Sequence, residues 1–114
     1  MADRDALGEF EHHVLLAALR LGEGAFTAPI VEELEERTGR SVAPASVYVT
    51  LRRLEKKGHV TTRIRTDDSA GANRRRRFVR VTDEGVEVLR SAQADLQRLW
   101  EGMDPLMAPG GGSA

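Results

Sequence analysis

The apolar spacing of this 114-residue chain is helical as far as residue 57, alternates from 60 to 81, and becomes helical again from 82. That order predicts three helices, a β-hairpin and a closing helix, an α+β fold that is mainly helical. The first helix is expected over residues 7–21. Leu7, Phe10, Val14, Ala18 and Leu21 form one apolar face, and Leu15, Leu16 and Leu19 form a second. A helix apolar on two sides must be covered on two sides, and in so short a chain another subunit is a natural source of the second cover. Gly22 and Gly24 end this helix. Thr27 is the expected N-cap of the next, with Pro29 in its first turn and Glu32 and Glu33 near the positive end of its dipole. Ile30, Val31 and Leu34 form its buried side, and Gly39 stops it. Pro44 can open a third helix with Val47, Leu51 and Leu54 on one face, ended by Gly58.

Val60, Thr62 and Ile64 then alternate with Thr61, Arg63 and Arg65, and a second strand is expected at about 75–81, after a turn-rich, mobile tip from Thr66 to Asn73. Thr82 is an N-cap signal, followed by Asp83 and Glu84. The last helix carries Val86, Leu89, Gln93, Leu96, Trp100 and Met103 at alternating spacings of three and four, an a/d heptad seam, and Pro105 ends it. Leu15, Leu16, Leu19, Leu89, Leu96, Trp100 and Met103 are therefore the expected dimer interface. The Gly-rich tail is read as a flexible terminus.

A net charge of −1 conceals a strong asymmetry. Residues 52–80 carry +8 and the remainder −9. A polyanion responds to the local field rather than to the average, so this segment is a candidate nucleic-acid surface. The second and third helices, joined by a short turn and followed by a hairpin, make a winged helix-turn-helix: three helices, a two-stranded wing, and a C-terminal dimerisation helix. A third helix of this kind enters the major groove of double-stranded DNA. Its outward residues here are Ala45, Ser46 and Val49, flanked by Tyr48 and Thr50, with Arg52, Arg53 and Lys56 over the backbone. The wing adds Arg63, Arg65, Arg74, Arg75, Arg76 and Arg77, of which strand geometry lets about half share one face. The expected division is 1–82 for the winged-helix domain, 83–107 for the dimerisation helix and 108–114 for the tail. A basic hairpin can also bind protein or RNA, or solvate a sheet edge. The alternative to a DNA-binding regulator is thus a winged-helix protein-interaction module without operator binding.

The run Ser46-Val47-Tyr48-Val49-Thr50-Leu51-Arg52-Arg53-Leu54-Glu55-Lys56-Lys57-Gly58 resembles the helix-three signature of the PadR family of regulators. Arg77-Phe78-Val79-Arg80-Val81-Thr82-Asp83-Glu84-Gly85 is similar to that family's wing ending, and Leu7–Glu11 and Leu99–Met103 extend the likeness from Leu7 to Met107. The chain departs from the family at Phe78-Val79, where an aromatic pair is common, and at Phe26-Thr27, where Tyr–Gly is frequent. The resemblance, closest to short members with one C-terminal helix, implies a homodimer, usually a repressor, whose last helix pairs with the partner's first and last helices. It also implies that a phenolic acid or hydrophobic drug can act as effector. Trp100, Met103 and Gln93 are the candidate pocket for a small aromatic effector, against the plainer role of interface core.

Other chemistry finds little support. The absence of cysteine excludes thiolate metal sites and disulfides and suits a cytoplasmic protein. His12 and His13 are adjacent and diverge by about 100° on a helix, so they cannot chelate one ion. Gly110–Gly112 is not flanked by the strand and helix of a phosphate loop. No metal, cofactor, membrane span or catalytic constellation is expected.

Overall fold

The computed structural model describes residues 6–67 and 74–107. Helix α1 (Glu9–Leu21) is followed by a 3-10 turn (Gly22–Gly24), α2 (Thr27–Thr38), α3 (Pro44–Lys56), strands β1 (Val60–Asp67) and β2 (Arg74–Val81), α4 (Asp83–Trp100) and the short α5 (Asp104–Met107). The expected wing tip between the strands and the expected tail lie outside the described residues, apart from the strand ends at Thr66, Asp67 and Arg74. Those ends pair, with Asp67 opposite Arg74, so the hairpin is longer than its turn-rich sequence suggests.

The core is built from Val14, Leu15, Ala18, Ile30, Leu34, Val47, Leu51, Leu54, Val60, Val79 and Leu89. Helix α1 is central: it packs on α2 and α3 and also touches β2 and α4. This corrects two interface expectations. Leu15 is fully buried and Leu89 is 6% exposed, so both are covered within the chain and unavailable to a partner. The second cover of α1 is partly its own hairpin and the start of α4. Leu16 and Leu19 remain exposed.

Helix α2 starts one residue early, with Phe26 at the N-cap position and Thr27 already helical, so the expected Thr27 cap is not made. Glu32 and Glu33 consequently fall beyond its first turn. Glu33 instead takes contacts from Arg20 of α1 and Arg37 of α2, which hold its carboxyl below the usual range. Gly39 stops α2 in the left-handed conformation, φ 72°, where any side chain would be strained.

Helix α4 is fastened to the hairpin base. The Thr82 hydroxyl accepts from Gly85 N–H at 3.0 Å and donates to the Gly58 carbonyl at 2.7 Å, while Thr82 N–H donates to the His59 carbonyl at 3.0 Å. The helix ends at Trp100, where Gly102 (φ 76°) turns the chain, and Pro105 sits inside α5 instead of ending α4. Met103 therefore lies past the heptad seam. From Asp95 to Leu106 every residue is exposed.

Candidate nucleic-acid interface

Helix α3 begins with Pro44, whose fixed φ suits a first helical position. Its core stripe is Val47, Thr50, Leu51 and Leu54. Thr50 is only 4% exposed, which corrects its assignment to the DNA surface. It lies three residues after Val47 and four before Leu54, and that spacing puts all three on one face. The opposite face exposes Ala45, Ser46, Tyr48, Val49, Arg52, Arg53 and Lys56. Arg52 is held rather than free: Nη1 donates to the Tyr48 hydroxyl at 3.1 Å, and Nε lies 3.7 Å from Glu55. The Tyr48 contact, then Glu55, raises the Arg52 pKa further.

The hairpin register (Thr62 opposite Val79, Arg63 opposite Phe78) sorts the wing arginines onto two sides. The α3 side carries Thr62, Ile64, Arg75 and Arg77. The Thr62 hydroxyl donates to Glu55 of α3 at 2.8 Å and accepts from Arg77 Nη1 at 3.3 Å. Arg75 and Arg77 are exposed, and the wing surface they occupy adjoins the C-terminal half of α3.

The far side carries Arg63, Arg65, Arg74, Arg76, Phe78 and Arg80. Here Phe78 meets Phe26 edge-to-face, with ring centres 5.0 Å apart. The Arg65 guanidinium lies 3.8 Å from the Phe78 ring centre and donates to the Glu23 carbonyl. Arg76 lies 5.1 Å from the Phe26 ring and 3.6 Å from the Asp67 carboxylate. These contacts brace the wing against the 3-10 turn and the start of α2, and the Val79 N–H adds a bond to the Ala25 carbonyl at 2.9 Å. Arg65 and Arg76 are thus engaged on their own chain, away from α3.

A second brace escaped the sequence reading. Glu11 of α1 is 6% exposed, accepts from Gly8 N–H at 3.0 Å, and pairs with Lys57 Nζ at 2.9 Å. Burial pushes the Glu11 carboxyl up, but the Gly8 N–H, the Lys57 ammonium and the charge of Arg53 outweigh it and hold it below the usual carboxylate range. Lys57 closes α3, so the pair locks the end of that helix to the start of α1. No short-range pattern signals a pair 46 residues apart. Burial lowers the His12 pKa, and the charge of His13 adds to this.

The expected effector residues Gln93 and Trp100 are exposed on α4, and Met103 lies at the turn beyond it. No group of three potential metal ligands occurs among the described residues, and no described helix is long and apolar enough to cross a membrane.

The sequence model of the transcriptional regulator PadR-like family matches residues 15–91, from the middle of α1 to the middle of α4. The chain belongs to the PadR family. Its fold agrees: the PadR-family regulator of Eggerthella lenta superposes with a TM-score of 0.64 at 29% identity, over 83% of this chain and 80% of that one. The PadR-like regulator of Bacillus cereus gives 0.70 at 17% identity, over 88% and 92%. Bacillus subtilis PadR, solved in complex with operator DNA, gives 0.62 at 23% identity, over 74% of this chain but 47% of that longer one. Among curated proteins none matches. The architecture is a winged helix followed by an additional helix, and the protein is a PadR-like transcriptional regulator.

Proposed function

We propose that this PadR-family chain acts in the cytoplasm as a homodimeric repressor on a two-fold symmetric operator. The observation that carries the reading is the surface shared by α3 and the α3 side of the wing. It presents small and aromatic side chains (Ala45, Ser46, Tyr48, Val49) beside exposed cations (Arg53, Lys56, Arg75, Arg77). Small residues allow a helix to approach base edges closely, and the cations neutralise phosphates with release of counterions. Ser46 and Val49 are the reading residues, and Arg75 and Arg77 the anchors. The operator-bound B. subtilis relative supports this reading.

Residues 1–82 serve as the reading head and 83–107 as the dimerisation segment. Leu16, Leu19, Leu96, Trp100 and Met103, between 36% and 50% exposed, supply the contact, and Leu99 at 74% extends it. An apolar patch of this kind is characteristic of an interface. A flat hydrophobic effector wedged at Trp100, Met103 and Gln93 would change the separation of the two heads and relieve repression. Selection of bound sequences from a random DNA pool tests the reading directly. A palindromic motif with half-sites about one helical turn apart is expected, and recovery of no enriched sequence overturns it.

A further inference from the structure

A cavity of about 370 Å³ lies between the last turn of α1, the 3-10 turn and the base of the hairpin. Its size falls in the range of about 300–1,000 Å³ usual for small-molecule sites. Ala18, Leu19 and Val81 give it an apolar floor, and Arg63, Arg65 and Arg80 supply three guanidiniums against one acid, Glu23. Among the described residues no carboxylate lies within ion-pair distance of Arg63, Arg65 or Arg80. Arg65 is pre-positioned by the Phe78 ring and the Glu23 carbonyl. All three project from the far side of the wing, where like charges on neighbouring strands repel.

We infer that this cavity binds a small carboxylate with an apolar body. The carboxylate would lie among the guanidiniums, whose forked donors match its two oxygens, and the apolar part would cover Leu19 and Val81. An inorganic anion would leave the apolar floor wet, and a neutral hydrocarbon would leave the three cations uncompensated. The site is on the opposite side of the wing from Arg75 and Arg77, so its occupancy can be read without DNA and stands apart from operator binding.

The test is titration calorimetry of the full chain with 1-naphthoate, 1-naphthylmethanol and inorganic phosphate, in the absence of DNA. Saturable binding of naphthoate, one per chain, is expected, with the alcohol and phosphate weaker by about tenfold or more, as loss of a charged hydrogen bond implies. The double variant Arg63→Gln/Arg80→Gln should weaken naphthoate by a similar factor and leave the alcohol unchanged. Equal affinity for naphthoate and the alcohol, equal affinity for phosphate, or an unaffected double variant overturns the site. Methyl NMR of the unaltered protein gives a readout independent of any variant. Naphthoate should shift Leu19 and Val81, and shifts confined to Leu96 and Leu99 would assign the probe to α4 and sink the inference.

Discussion

At Gly85 the backbone of α4 runs so close to the hairpin that a Cβ built there would stand 2.3 Å from the His59 carbonyl oxygen and 2.8 Å from a Val81 methyl. Neither the oxygen, which also accepts from Thr82, nor the helix can yield without breaking the joint. Gly85→Ala should therefore cost about 1–3 kcal/mol or more by overpacking, read as a lowered midpoint in urea unfolding. Glu11 permits a pH test. Its carboxyl is depressed in the folded state, so its contribution is present above the ordinary carboxylate pKa and lost as pH falls through the folded value. Glu11→Gln should destabilise by about 1–3 kcal/mol near neutrality, because it leaves Lys57 without its charge partner. The gap to the unaltered protein should close as the solution is acidified below the usual carboxylate range, whereas a gap independent of pH would show that packing alone is lost. Thr50 carries a different lesson. Its polar character and its place among candidate DNA residues suggested exposure, yet its helical phase relative to Val47 and Leu54 already required burial. Periodicity outranks residue chemistry in deciding which way a helical side chain points.

At the scale of elements, the helices and strands were legible because each carries its own period and its own stop signal: Gly39 after α2, Pro44 and Gly58 around α3, Thr82 before α4. What spacing could not reveal is which of two apolar faces a neighbour covers. Leu15 and Leu16 are adjacent in sequence, yet one is fully buried and the other 43% exposed, because the hairpin and α4 reach only the first. Alternation did sort the wing arginines by face, but the Phe26–Phe78 contact that brings Arg65 and Arg76 back onto the chain depends on tertiary placement. This sorting sharpens the expectation for DNA. With about four phosphate contacts per subunit, the log–log salt slope of the dimer should be of order −7. Arg75→Ala with Arg77→Ala should flatten that slope with little change in preferred sequence, and Ser46 or Val49 substitutions should do the reverse. If the double arginine variant changes the selected motif while Val49→Ala leaves it intact, the roles of anchor and reader are exchanged.

For the whole molecule, the interface is the question on which regulation turns, since two reading heads address a symmetric operator only if something fixes their spacing. The chain supplies two chemically similar sets of leucines that answer differently to the same change. Leu89 is enclosed by its own subunit, whereas Leu96, two turns further along α4, is 50% exposed. Burying an unpaired carboxylate at Leu89 should unfold the chain, because a charge in that core has neither water nor a partner. At Leu96 the carboxylate reaches water in the separated subunit and is costly only when a second chain covers it. Leu96→Asp should thus leave the helical content and thermal unfolding of the subunit recognisable while light scattering at micromolar concentration falls from twice the 12.5 kDa chain mass to the single mass. Operator affinity should fall with it, since two linked heads bind far more tightly than one. A Leu96→Asp protein that stays dimeric would move the interface off the exposed half of α4, and an unaltered chain that scatters as a monomer would remove the dimer altogether.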